Sequence, residues 1–162
     1  MEPFDQLDLV AEIAAALLGF IAVFLALSKT DGRFYESDRH FIQALVLSSS
    51  LAIILAIAPR AISLFGVHNS VWFIAAVLAV SLGSLTMIMQ IRLQLRMTRE
   101  EAAQIHWVWH VGAWLLGVAS AIVFILALLD SSRITAYYVG GVSLLVPLCL
   151  WVFIGVVFRR FF

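Results

Sequence analysis

The sequence predicts an all-α protein, a polytopic transmembrane bundle of five helices, from three observations. Five apolar stretches reach or approach the length of about 20 residues that a helix needs to cross a hydrocarbon core about 30 Å thick. The 162-residue chain is 64% hydrophobic and 12% charged, about half the charged fraction of a soluble domain. The charged residues lie almost wholly between the stretches, which cover roughly 8–28, 41–58, 71–91, 108–129 and 135–158. No long polar segment interrupts them, so residues 1–162 are expected to form a single transmembrane domain.

The first stretch is predicted to be a permanent helix rather than a signal peptide. Its start, Glu2 to Asp8, is acidic where a signal peptide is basic, and its apolar run exceeds the usual length of about 7–15 residues. Glu12 lies about one turn inside this helix, and carboxylates within membranes are rare, costly and often functional. Two interpretations stay open: Glu12 serves ion or proton passage, or it forms a structural ion pair with Arg60 at the same depth.

Sequence signals predict where the next three helices begin and end. Helix two is expected to stop at Pro59. Thr98 and Glu101 form a capping box, so helix three is expected at about 71–97 and helix four at about 99–129. Both are longer than the hydrocarbon core at 1.5 Å per residue. They are therefore expected to extend into the cytoplasm as a hairpin, or to tilt strongly.

The fifth helix is expected to follow a tight turn and to bend. The turn is Asp130-Ser-Ser-Arg133, which leads directly into the apolar stretch. Gly140, Gly141 and Pro147 then predict a bend, because proline and glycine are common causes of kinks in helices.

Charge placement predicts the orientation of the bundle. With five spans, one side carries a net charge near +3 and the other side near −3, although the total is zero. The positive-inside rule makes the positive side cytoplasmic, so the N-terminus is expected outside and the C-terminus inside, in a bacterial inner (plasma) membrane. The positive side holds eight of the ten basic residues, Lys29, Arg33, Arg39, Arg92, Arg96, Arg99, Arg159 and Arg160.

Small residues four apart form stripes on four helices. Such stripes lie on one helix face and allow close helix contact in membranes. Packing within the molecule and a subunit interface are both open interpretations, and a homo-oligomer is expected. The stripes are Ala11, Ala15 and Gly19 on helix one, Ala44, Ser48, Ala52 and Ala56 on helix two, Ala75, Ala79 and Gly83 on helix three, and Ala113 and Gly117 on helix four.

Three histidines lie at a similar depth on the cytoplasmic side. His106 and His110 share a face of helix four, and His40 begins helix two. Together they are candidates to bind zinc, iron or copper, or to serve as axial ligands of a haem. Interfacial anchoring beside Trp107 and Trp109 is the alternative. No cysteine ligand, HExxH or CxxCH motif accompanies them, so no cofactor is assigned.

Other polar residues cluster near the same side. Gln43, Gln90 and Gln94 are candidates for a polar vestibule, or they extend to the headgroup region like other amphipathic side chains. Arg92, Arg96 and Arg99 are candidate contacts for anionic lipid headgroups.

Several functional classes are not expected. The chain has no phosphate-binding glycine motif, no Gly-x-Ser-x-Gly and no pair of buried carboxylates, so an enzyme is not predicted. Little basic surface is available for nucleic acid.

Short segments of the first sixty residues carry a family resemblance. Val10-Ala-Glu-Ile13 followed by Gly19-Phe20, together with Ala56-Ile-Ala-Pro59, resembles the opening of a group of small bacterial inner-membrane proteins of unassigned function. The resemblance implies a bacterial polytopic membrane protein in which Glu12 matters, and it implies no activity.

Three functional hypotheses follow from these residues. The first is an oligomeric channel- or transport-like protein that uses Glu12. The second is a metal- or haem-binding membrane protein that uses His40, His106 and His110. The third is a structural or accessory subunit that packs its small-residue stripes against partner helices in the lipid bilayer.

Overall fold

The computed structural model describes residues 2–30, 36–66, 70–96 and 107–161, and the regular structure in these ranges is helical throughout. Five segments are long and apolar enough to cross a membrane, so the predicted all-α five-helix bundle is confirmed. The chain is a multi-pass membrane protein. Its helices are α1 (Pro3–Thr30), α2 (Glu36–Leu64), α3 (Val71–Leu95), α4 (Trp107–Leu129), α5 (Ile134–Ser143) and α6 (Leu145–Phe161), with a 3-10 turn at Ser131–Arg133. Helices α5 and α6 together make the fifth span.

Four of the five spans form a ring, and α1 packs on its outside. Helix α2 packs against α3, α3 against α4, α4 against α5 and α6, and α6 closes the ring against α2. Helix α1 lies against α2, α5 and α6. Helices α2 and α4 therefore stand diagonally across the ring and run in the same direction, since one antiparallel helix separates them.

The two ends of the ring differ. We call the end next to Arg39, Arg92 and Arg96 the basic end, and the end next to Asp8 and Asp130 the acidic end. Toward the acidic end the centre is filled by Tyr138, whose ring centroid lies 5.8 Å from that of Trp72 and 5.8 Å from that of Phe124. Ala75 is fully buried there, and Ala79, one turn further along α3, is also fully buried but lines the cavity described below. Toward the basic end the centre of the ring is open.

Pro59 does not end helix two, which continues to Leu64, so that prediction is wrong. Proline lacks a backbone N–H and cannot bond to the carbonyl four residues earlier, that of Leu55. The hydroxyl of Tyr138 on α5 donates to this carbonyl at 2.6 Å. A helix in a membrane tolerates proline when a neighbour satisfies the freed backbone group, and Tyr138 does so here.

Helix α1 packs through large residues rather than through its small-residue stripe. The buried positions Leu7, Val10, Ala14, Leu17 and Ile21 alternate in steps of three and four and form one face. Ala11 is partly buried against the core, whereas Ala15 and Gly19 are exposed. The interpretation that this stripe packs within the molecule is therefore wrong for Ala15 and Gly19. The interpretation that it forms a subunit interface stays a prediction.

The glycines in close contact are not those of the predicted stripes. A Cβ atom at Gly112 would overlap the indole of Trp151, and one at Gly141 would lie 2.7 Å from the Phe124 ring. A Cβ atom at Gly155 would lie 3.1 Å from Phe41. At Gly19, Gly83 and Gly117 nothing lies within 4 Å of that position. Aromatic rings, rather than neighbouring helix backbones, thus occupy the space that glycine provides.

The fifth span is interrupted at Leu144, between α5 and α6, where the sequence predicts a bend. Pro147 cannot bond to the carbonyl of Ser143, which favours the interruption. At the break, Ser120 of α4 donates a 2.9 Å hydrogen bond to the Gly141 carbonyl. At the preceding turn, a hydrogen bond from Ser132 to the Asp130 carboxylate lowers the pKa of that carboxyl.

The predicted hairpin beyond the membrane lies mostly outside the described residues. Helix α3 ends at Leu95 and is about 37 Å long at 1.5 Å per residue. The predicted capping box and the start of helix four at about residue 99 fall in 97–106, outside the described ranges.

Candidate functional site: a cavity in the ring

A cavity occupies the centre of the ring toward the basic end. Its walls come from α2, α3, α4 and α6. It has a volume of about 190 Å³, and the empty space reaches about 1180 Å³ when the region into which it opens is included. Along α4 it extends from Trp109 to Ile125, about 24 Å at 1.5 Å per residue. The cavity is thus an elongated shaft that runs along the helix axes.

The nitrogen-containing polar side chains of the cavity gather at its basic end. His40 on α2 and His110 on α4 approach each other across the ring, with ring centroids 5.9 Å apart. The side-chain amide of Gln94 on α3 lies 3.4 Å from Nδ1 of His110, and Gln90 lines the wall one turn along the same helix. Three helices therefore contribute hydrogen-bonding groups to one small region. His40 is 9% exposed, whereas His110, Gln90 and Gln94 are partly exposed.

The rest of the shaft is largely apolar. Three hydroxyl groups in its wall donate to backbone carbonyls: Ser48 to Leu45, Thr86 to Leu82 and Ser120 to Gly141. Because these hydroxyl groups already donate to backbone carbonyls, they are not available as hydrogen-bond donors to a ligand in the shaft. The remaining wall is mainly aromatic and aliphatic and includes Trp109, Trp114, Trp151, Phe124 and Leu148.

Two glycines provide space in the shaft. Gly83 on α3 and Gly117 on α4 both line the cavity, and neither has an atom within 4 Å of a Cβ position. The sequence predicts both as helix-contact residues, which is wrong within this chain. Ala113 of the same predicted stripe also lines the cavity and packs partly against the core.

We infer from the exposed wall residues that the cavity opens sideways between α3 and α4. Among its wall residues, Ser84 on α3 and Ile125 on α4 are exposed. A shallow second depression on α4 adjoins it and shares His110 and Trp114 with its wall. For helices of membrane-spanning length, such an opening faces the lipid rather than water.

Glu12 and Arg60 lie away from this cavity. Arg60 pairs with Asp8 rather than with Glu12: its two guanidinium nitrogens lie 3.1 and 3.0 Å from the two carboxylate oxygens. The guanidinium also lies 5.6 Å above the Phe4 ring. Glu12 is exposed, and within the described part of the chain it has no hydrogen bond or ion pair. The predicted Glu12–Arg60 pair is thus wrong.

The other predicted site residues lie in the cavity wall, outside this wall, or outside the residues that the structure describes. Gln90 lines the cavity, whereas Gln43 is partly buried on α2 outside its wall. His106 and Arg99 lie outside the described residues, so a three-histidine site stays a prediction. In the described ranges no three His, Cys, Asp or Glu residues come together as metal ligands. Arg92 and Arg96 are exposed at the basic end and do not line the cavity.

Sequence reasoning missed Trp151, which lines the cavity, because nothing in its spacing separates it from a lipid-facing residue. Gln94 lines the cavity together with Gln90, and the sequence indicates both, because they are four apart and share a helix face.

The chain was also compared with known proteins. No family model, curated protein or solved structure matches it.

Proposed function

We propose that this membrane protein binds an amphipathic small molecule in the cavity between α2, α3, α4 and α6. One observation carries the proposal: an apolar shaft ends in a group of convergent nitrogen-containing side chains, His40, His110, Gln90 and Gln94. Binding sites for small molecules are typically apolar concavities with a few placed polar groups. The polar group of the ligand binds at the basic end, and its apolar part lies along the shaft.

The ligand reaches the site from the bilayer. The exposed wall residues Ser84 and Ile125 lie on neighbouring helices, so the path runs between α3 and α4. A molecule dissolved in the lipid enters this path without crossing water. The ligand is therefore expected to be hydrophobic enough to partition into membranes, with a polar group that can bond to the histidine and glutamine side chains at the basic end.

A channel or transport role that uses Glu12 receives no such support. Glu12 is exposed on α1, outside the ring, and does not line the cavity. We therefore assign the function to the cavity and leave ion passage as a prediction from the sequence.

The proposal is tested by photolabelling with a palmitic acid analogue that carries a diazirine near the end of its chain. The protein is reconstituted in nanodiscs, labelled under light and mapped by mass spectrometry. We expect saturable labelling of residues around Gly83, Gly117 and Ser120, which line the shaft. Excess unlabelled palmitic acid is expected to suppress this labelling.

Two matched variants separate the shaft from the lipid-facing surface. Gly117→Phe places a ring in the cavity and is expected to remove the saturable labelling, because free space adjoins Gly117 there. Gly19→Phe makes the same change on the exposed face of α1 and is expected to leave it unchanged. Labelling that never saturates, or that is equal in both variants, would contradict the proposal.

A further inference from the structure

We propose that the ligand of the cavity is a lipid-soluble quinone, whose ring binds at the basic end and whose apolar tail follows the shaft toward the lipid. This inference rests on the proposed function, because it names the chemical class of the molecule in the same cavity. Four properties of the cavity carry it: its size, a wall without fixed charge, side chains that both donate and accept hydrogen bonds, and an aromatic surface.

The size of the cavity fits one substituted six-membered ring. Its volume is about 190 Å³. An apolar protein cavity of about 150 Å³ holds a benzene molecule, so the space here accommodates such a ring with small substituents. The tail leads toward the opening between α3 and α4, where Ser84 and Ile125 are exposed, and the part that the shaft does not hold lies in the lipid.

The wall of the cavity carries no fixed charge. None of the described residues that line it is a lysine, arginine, aspartate or glutamate. A buried charge without a partner costs far more free energy than a buried polar group that is hydrogen-bonded. The polar part of the ligand is therefore uncharged, which favours a quinone over phospholipids, whose phosphate is charged. A fatty acid fits this wall as the protonated acid.

The polar side chains at the basic end both donate and accept hydrogen bonds. A neutral imidazole has one nitrogen of each kind, and an amide has an NH₂ donor and a carbonyl acceptor. The amide of Gln94 lies 3.4 Å from Nδ1 of His110, so rotation of the amide by half a turn, with transfer of the imidazole proton to the other nitrogen, exchanges donor and acceptor in this pair. A quinone presents carbonyl acceptors, and its reduced form presents hydroxyl donors at the same positions. Side chains of this kind therefore suit both forms.

The wall beside His110 is aromatic and held in place. Trp109 and Trp114 flank His110 along α4, and Trp151 of α6 lines the cavity with them. The indole N–H of Trp151 donates to the Trp109 carbonyl at 3.2 Å, and its ring occupies the space that Gly112 leaves free. The ring centroids of Trp109 and Trp151 lie 5.0 Å apart. Planar rings pack favourably against such surfaces, so this wall suits a flat headgroup better than a saturated one.

The test measures the binding of tritiated decylubiquinone, a quinone with a decyl tail, to the purified full-length protein in nanodiscs by scintillation proximity. Empty nanodiscs give the background from partition into lipid. We expect saturable binding that unlabelled decylubiquinone displaces. Decylbenzene carries the same tail on a ring without oxygen atoms, and it is expected to compete at least about tenfold more weakly, because it leaves the polar groups of the site unpaired.

Glutamine variants test the hydrogen bonds. Gln90→Leu and Gln94→Leu are each expected to weaken decylubiquinone binding by about fivefold or more, because a buried quinone oxygen loses its partner. Gln43→Leu makes the same change on α2 outside the cavity wall and is expected to leave binding unchanged. In infrared spectra of decylubiquinone labelled with a carbon isotope at its carbonyls, the carbonyl band is expected to lie at lower frequency in the protein than in empty nanodiscs, and to return toward that frequency in the two weakened variants.

A tryptophan pair tests the aromatic wall. Trp114→Leu removes a ring from the cavity wall and is expected to weaken decylubiquinone binding by about fivefold or more, since base-free aromatic contacts and buried area are both lost. Trp107→Leu makes the same change at an exposed position of α4 that does not line the cavity, and it is expected to leave binding unchanged.

Each outcome bears on the inference. Size-exclusion elution and circular dichroism show which variants are folded, and the comparison with decylbenzene needs no variant. Absence of saturable decylubiquinone binding, or equal competition by decylbenzene, would overturn the inference. Equal effects of folded Gln90→Leu and Gln43→Leu would also overturn it.

Failure of this inference is distinguishable from failure of the proposed function. Saturable photolabelling of the shaft by the palmitic acid analogue, without saturable binding of decylubiquinone, contradicts only the quinone. Absence of both contradicts the cavity as a binding site.

Discussion

At the scale of single residues, one hydroxyl group explains how a proline is accommodated in the middle of the second span. Tyr138 is fully buried and donates to the Leu55 carbonyl, the group that Pro59 leaves without its helical partner. No hydrogen-bonding solvent is present in the lipid core, so the pairing of such a group is required rather than optional. The contribution of the Tyr138 hydroxyl to stability is therefore expected to depend on the proline at position 59.

Removal of the hydroxyl by Tyr138→Phe is expected to destabilise the protein measurably. Hydrogen bonds between membrane helices contribute about 0.6 kcal/mol on average and up to about 1.7. We expect the upper part of this range, because the Leu55 carbonyl has no alternative donor from position 59. The measurement is unfolding in mixed micelles of increasing sodium dodecyl sulfate, with Tyr137→Phe as the matched control.

A second variant identifies the cause of this loss. Pro59→Ala restores an N–H that can bond to the Leu55 carbonyl, so Tyr138→Phe is expected to cost much less in that background. An equal cost in both backgrounds would show that the phenol acts through packing rather than through the proline.

Glycines provide a second residue-scale prediction. Gly141→Ala places a methyl group 2.7 Å from the Phe124 ring, and such overpacking typically costs about 1–3 kcal/mol. Gly19→Ala meets nothing within 4 Å and replaces a poor helix former, so it is expected to be neutral or to stabilise by up to about 1 kcal/mol. The same unfolding measurement compares them, and effects of the same sign and size would contradict the assigned packing.

At the scale of helices, the sequence predicts the existence of each span but not its neighbours or its ends. Runs of about 20 apolar residues with few charges indicate transmembrane helices by their length and composition. The sequence predicts a helix end at Pro59, because nothing near it in the chain indicates that Tyr138 donates to the carbonyl that the proline leaves unpaired. The sequence also does not show which face of α1 packs inward: Leu17 and Ile21 are buried, whereas Gly19 is exposed.

The pairing between α1 and α2 gives a prediction at this scale. Arg60 and Asp8 join the acidic ends of the two helices, but their side chains are 57% and 51% exposed. Exposed ion pairs contribute about 0–1 kcal/mol and weaken as salt rises. Asp8→Asn is therefore expected to destabilise the protein by no more than about 1 kcal/mol.

A double-mutant cycle distinguishes the observed pair from the one that the sequence predicts. Arg60→Gln is expected to show a coupling energy with Asp8→Asn and none with Glu12→Gln, measured by unfolding at low salt. Coupling to Glu12 alone would restore the predicted pair and contradict the contact in the structure.

At the scale of the whole molecule, the fold is a four-membered ring filled at one end and open at the other. Large rings and buried alanines fill the acidic end, whereas glycines and hydrogen-bonded hydroxyls leave a shaft toward the basic end. This shaft is not predictable from the sequence. Apolar residues are favourable both inside a membrane bundle and against lipid, so hydrophobic patterns do not separate wall residues from lipid-facing ones. Among the cavity residues, the histidines, Gln90 and Gln94 stand out in the sequence.

The most direct test of the binding cavity is an NMR measurement of contacts between ligand and protein. Isotope-labelled protein in deuterated detergent is titrated with protonated palmitic acid, and intermolecular Overhauser contacts are recorded at the amides of Gly117 and Ser120. We predict contacts that saturate with ligand at these two residues and non-saturating contacts at Gly19. Absence of saturable contacts at Gly117 and Ser120, in a protein that remains folded, would contradict a ligand-binding shaft.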